Sequence, residues 1–134
     1  MRTFLALTII TCVVGFLAAY SVADDNDAKA QKTTTVNGVL IDQHCGPKML
    51  TKDDPEKAAA AHTKACATAE DCEKAGYAVI SGKEMIKFDD AGNKLAKDFL
   101  AKTDKADNLR VTVEGTRTGD TLAVTSLKAE GEGK

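Results

Sequence analysis

The chain reads as mainly β with an α-helical insertion, arranged as a five-stranded OB-like barrel. Three observations predict this. Short runs rich in β-branched and alternating apolar residues occur at 36–41, 77–80, 85–88, 109–114 and 122–127. A narrow apolar stripe at helical spacing falls between the third and fourth runs, and a Cys/His-bearing block separates the first from the second. Five strands with a helix between the third and fourth follow the OB order, and closing the sheet removes edges that short strands would otherwise expose. An open α+β sheet built from the same elements is the alternative architecture.

The first run, VNGVLI at 36–41, contains Gly38, which marks a bulge or a close backbone approach. Cys45, Gly46 and Pro47 then predict a turn. Asp54 is a good N-cap, Pro55 suits the first helical position, and Glu56 places negative charge at the positive end of the dipole. The alanines at 58–61 and 65–67 extend that helix through His62 and Cys66. A short helical turn runs from Thr68, with its hydroxyl capping toward Asp71, to Ala75, and Gly76 stops it.

After Gly76 the apolar period changes to two. YAVI and MIKF flank the Gly-containing loop 81–84 as a hairpin. Residues 89–93 predict a turn, and Leu95 and Phe99 lie four apart on a helix over 94–102. Leu109, Val111 and Val113 alternate with Arg110, Thr112 and Glu114, so one face of that strand is buried and the other wet. Residues 115–120 turn the chain into the last strand.

The first 23 residues have the pattern of a secretory signal peptide: Arg2, an apolar run, then Ser21, Val22 and Ala23 as small and apolar residues at the cleavage site. A flexible tail follows over 24–35, then the OB-like domain over 36–128 with its helical insertion at 45–76, and a second flexible tail over 129–134. This predicts a secreted or periplasmic protein with no membrane span after signal removal. The mature chain of about 110 residues is the size of one domain. The full chain carries a net charge of -2, and loss of Arg2 makes it more acidic, which argues against a nucleic-acid partner. Only Tyr77, Phe88 and Phe99 remain as aromatics, too few for a base-stacking platform.

Cys45, Cys66 and Cys72 survive signal removal, an odd number for an oxidising compartment. A disulfide between Cys45 and Cys72 is the favoured pairing, because they stand just after one strand and just before its antiparallel neighbour. Cys66 is the other possible partner of Cys72, provided the helix breaks near Thr68. Such a bridge would stabilise the fold by about 3 kcal/mol. The alternative is a metal site, because His62 and Cys66 lie four apart on the expected helix and share a face. With Cys45 and Cys72 they form a tetrahedral set suited to zinc or Cu(I). His44 is adjacent to Cys45 in an extended chain and faces the other way, which sets it apart from that ligand set. A Cys66 nucleophile with His62 as base lacks an identifiable third group or oxyanion hole, so the chain is not read as an enzyme. Asp53, Asp54, Asp89 and Asp90 fit caps and turns.

The succession Asp42-x-x-Cys45, His62 ahead of Cys66 and Cys72, and Gly76-Tyr77 resembles a group of small secreted bacterial proteins of unassigned function. That resemblance implies an extracytoplasmic location and an OB-like barrel with a Cys/His insertion. The functional expectation is a non-catalytic, disulfide-stabilised binding domain without a cofactor and with an unspecified extracytoplasmic ligand. The alternative is a transition-metal binder using zinc or copper.

Overall fold

Segments with one apolar face are most stable when they hide that face on one another, and five do so here. In the computed structural model, which describes residues 32–131, they are β1 (Thr33–Asp42), β2 (Tyr77–Ser81), β3 (Glu84–Phe88), β4 (Arg110–Thr118) and β5 (Thr121–Ala129). They close into a ring in the order β1-β2-β3-β5-β4. All neighbours are antiparallel except β3 and β5, which pair in parallel through Lys87 with Thr121 and Phe88 with Leu122. This is the closed OB-like order expected from the sequence, not the open sheet. The expected signal peptide at 1–23, residues 24–31 of the first tail and residues 132–134 lie outside the described residues. No helix among the described residues is long and apolar enough to cross a membrane.

The ring interior holds Val36, Leu40, Val79, Ile86, Phe88, Val111, Val113, Leu122 and Val124. Its open end is plugged by α5 (Asp90–Lys102), which contributes Ala96 and Leu100. The helix begins four residues earlier than the sequence predicts. Asp89, expected in a turn, accepts from the Gly92 amide at 2.9 Å as N-cap and from the Val124 amide at 3.1 Å. Gly92 is required inside that first turn, because a Cβ there would strike Phe88 and Val124.

Four short helices make up the insertion: α1 (Gly46–Leu50), α2 (Pro55–Ala60), α3 (Lys64–Ala67) and α4 (Glu70–Ala75). Met49, Leu50 and Ala59 cover Val39, Ile41, Ala78 and Ile80 on the outer side of β1 and β2. Both faces of β1 are therefore buried from Val39 to Asp42, where a bare strand would alternate.

Three strand boundaries differ from expectation because of cross-strand pairing. β1 begins at Thr33 within the expected tail, because β4 continues past Glu114 and offers Gly115 and Thr116 as partners to Thr34 and Thr33. Gly115 is a strand residue at a register shift, where a Cβ would meet the Ala123 carbonyl, and the turn reduces to Gly119 and Asp120. Ala129 still pairs with Val111, so the final strand runs into the expected second tail.

Gly38 fulfils its sequence reading, since a side chain there would run into the Ile80 carbonyl and the Val79 side chain. Gly38→Ala is expected to destabilise the domain by about 1–3 kcal/mol through overpacking across the β1–β2 seam. Urea denaturation would check this, with the midpoint falling and the slope unchanged.

Candidate metal centre

The insertion leaves and re-enters the barrel at one place. Asp42 at the end of β1 pairs with Tyr77 at the start of β2, and the Gln43 amide donates to the Gly76 carbonyl at 2.8 Å. The Gln43 side-chain amide donates to the Tyr77 carbonyl at 3.0 Å, and Asn93 on α5 accepts from the Tyr77 amide at 2.8 Å. Directly above this junction the chain collects Asp42, Cys45, His62, Cys66 and Cys72.

Each arrives by a local device. Asp42 turns its Oδ1 to the Cys45 amide at 2.8 Å, which folds the chain back into α1 and carries Cys45 over the strand end. The expected turn at Gly46 and Pro47 is thus the first turn of a five-residue helix, with Gly46 buried where a Cβ would meet the Met85 sulfur. Asp54 caps α2 as predicted, accepting from the Lys57 amide at 3.0 Å. The alanine-rich helix is not continuous, however. It stops at Ala60, His62 lies in the following turn, and Thr63 caps a new helix by accepting from the Cys66 amide at 3.2 Å. His62 and Cys66 therefore do not share a face of one helix. A further break at Thr68 and Ala69 starts α4, which carries Cys72 inward. Thr68 does not cap toward Asp71, as its hydroxyl donates back to the Lys64 carbonyl at 3.0 Å.

The disulfide favoured by the sequence between Cys45 and Cys72 is absent, and so is the Cys66 alternative. All three thiols are free among the described residues. Their sulfurs lie within 4.8 Å of one another, short of bonding but close enough to hold one ion. The reason is topological: the break after α3 brings Cys66 alongside Cys45 and Cys72, so the residues converge as a triad instead of a pair. Burial first, then the nearby Asp42 carboxyl, pushes the Cys72 thiol up to about 12, and the same causes in the same order raise Cys45.

A second set shares Cys45. Its sulfur, a His62 nitrogen and an Asp42 oxygen also lie within 4.8 Å of one another. Asp42 is fully buried and His62 is 8% exposed. Asp42 Oδ2 stands 3.2 Å from His62 Nε2, yet the two are not aligned as donor and acceptor, and Oδ2, Nδ1 and Nε2 are all buried without a hydrogen-bond partner. Buried polar atoms are rarely left unmatched, because each forfeits its hydration. His44 is exposed and stands apart from both sets. Asp42 is the site residue that the ligand reading of the sequence missed. Its position at the end of a β-branched run was the available signal, since a carboxyl there faces whatever the insertion brings down.

The class defined by fold and site is a small closed β-barrel carrying a thiol-, imidazole- and carboxyl-lined cluster at the mouth of a helical insertion. No family model, curated protein or solved structure matches the chain.

Tyr77 ties the cluster's last helices to the barrel by donating its hydroxyl to the Ala67 carbonyl at 3.1 Å. Burial, then Glu73 and Asp42, raises that hydroxyl to about 12. The folded chain holds this proton to higher pH than the unfolded one, so the contribution is complete below about pH 10 and lost as pH rises through about 12. Tyr77→Phe is expected to cost about 1 kcal/mol at neutral pH and to flatten the alkaline fall in stability. Denaturant melts from pH 8 to 11.5 would test both effects.

Proposed function

We propose that this protein is an extracytoplasmic transition-metal binder whose primary ligands are the thiolates of Cys45, Cys66 and Cys72. The observation that carries the reading is the convergence of three free sulfurs beside buried, unpartnered His62 and Asp42 atoms. Soft thiolates favour Cu(I) and Zn(II) over hard oxygen-loving ions. Cu(I) is satisfied by three sulfurs, and Zn(II) completes a tetrahedron with one further donor, a side chain or a water. The broader expectation of a non-catalytic binding domain narrows in this reading to a bound ion. The upward shifts of Cys45 and Cys72 count against either acting as a nucleophile, which needs its thiolate at neutral pH, and mean that a bound ion must displace their protons.

The test is anaerobic titration of the reduced mature protein with Zn(II) or Cu(I), followed by metal analysis after desalting. Retention of metal with protection of all three thiols from alkylation is the expected result, and Cys66→Ser should weaken binding at least tenfold. Full alkylation of all three thiols in the presence of excess metal would overturn the proposal. Because binding must displace thiol protons, apparent affinity should rise with pH across the neutral range, and competition with a chromophoric chelator at pH 6, 7 and 8 measures that slope.

A further inference from the structure

The two ligand sets differ in chemistry and meet at one atom. Cys45, Cys66 and Cys72 form an all-sulfur triangle, whereas Asp42, Cys45 and His62 offer oxygen, sulfur and nitrogen. The mixed set bears the marks of a preformed site. A carboxylate and an imidazole that met only each other would settle into an aligned hydrogen bond, since a charge-assisted pair gains most from that geometry. Here Oδ2 and Nε2 approach to 3.2 Å without alignment, and both are sealed from water. Two donors bound to one Zn(II) at about 2.0–2.1 Å with a tetrahedral angle sit about 3.3 Å apart, close to the separation found. The Oδ1 bond to the Cys45 amide holds the carboxyl in this attitude while leaving Oδ2 free.

Resting on the thiolate reading above, we infer that the cluster is a two-ion centre. Cys45 Sγ bridges an ion held by Cys66 and Cys72 to a second ion held by Asp42 Oδ2 and His62. Fully ionised, three thiolates and one carboxylate match the charge of two divalent cations, whereas a single ion leaves part of the set protonated. Placement supports the two-ion occupancy. The mixed set lies on the barrel side, where Asp42 is fully enclosed, and the sulfur triangle opens outward through the half-buried Cys45 and Cys66. The inner ion would fasten the insertion to the end of β1, and the outer ion would be the more exchangeable one.

The experiment is Zn(II) stoichiometry on the full mature chain, reduced and loaded anaerobically, for the wild type, Asp42→Asn and His62→Gln. Asn at position 42 keeps an oxygen for the Cys45 amide, and circular dichroism verifies folding of each variant. Two equivalents in the wild type falling to one in both variants is the expected outcome. One equivalent in the wild type would overturn the two-ion centre and leave the thiolate site standing, whereas none would remove both. Two equivalents in all three proteins would place the second ion elsewhere and likewise overturn the inference. Should either variant unfold, X-ray absorption on the zinc-loaded wild type decides independently. A metal–metal vector of about 3.5–4 Å is expected, and its absence at full loading would rule the bridge out.

Discussion

The antiparallel register of β1 against β2 is the constraint on which the rest depends. Setting Asp42 opposite Tyr77 makes the insertion a closed excursion whose two ends are held by backbone hydrogen bonds. Three side chains of the cluster are positioned from that junction: Asp42 by being in the ladder, Cys45 by the turn that Asp42 stabilises, and Cys72 by the helix that must deliver Tyr77 back to the sheet. A one-residue slip would turn Asp42 to the opposite face of the strand and separate it from His62.

Helices of four to six residues have little stability of their own, so the insertion is fixed by what it packs on. Met49, Leu50 and Ala59 supply the apolar contact with the outer face of β1 and β2. Glu56 adds direction: one oxygen accepts from the Gly82 amide at 2.6 Å and the other from Arg110 at 2.7 Å, which pins α2 to both the β2–β3 turn and β4. Arg110 also reaches Glu130. Partly exposed ion pairs of this kind contribute modest energy, and their role is to select one seating of the helix among several of similar packing.

The strands were legible because each carries its own period or β-branched run, and the Asp54 cap because the chemistry of a cap is local. Two features were not legible for a shared reason. The break at Ala61 to Thr63 runs against strong alanine propensity, and it is imposed by tertiary placement of His62 together with the Thr63 cap. Likewise, strand adjacency alone brings Cys45 near Cys72, whereas the approach of Cys66, which makes a triad of free thiols, depends on two helix breaks acting together. The boundary of β1 was missed because Thr33, Thr34 and Thr35 have no apolar signature, and only their partners on β4 make them a strand.

The ring has one thin seam. β3 and β5 share two residue pairs, helped by the Lys87 amide to the Asp120 carbonyl at 2.8 Å and by the Lys87–Asp120 ion pair. All other neighbouring strands share longer ladders. Local opening of the barrel is therefore expected to begin between β3 and β5, with amide protons there exchanging before those of β1 and β4. That seam is across the ring from β1, so the barrel can breathe there while the junction that gathers the sulfurs stays shut.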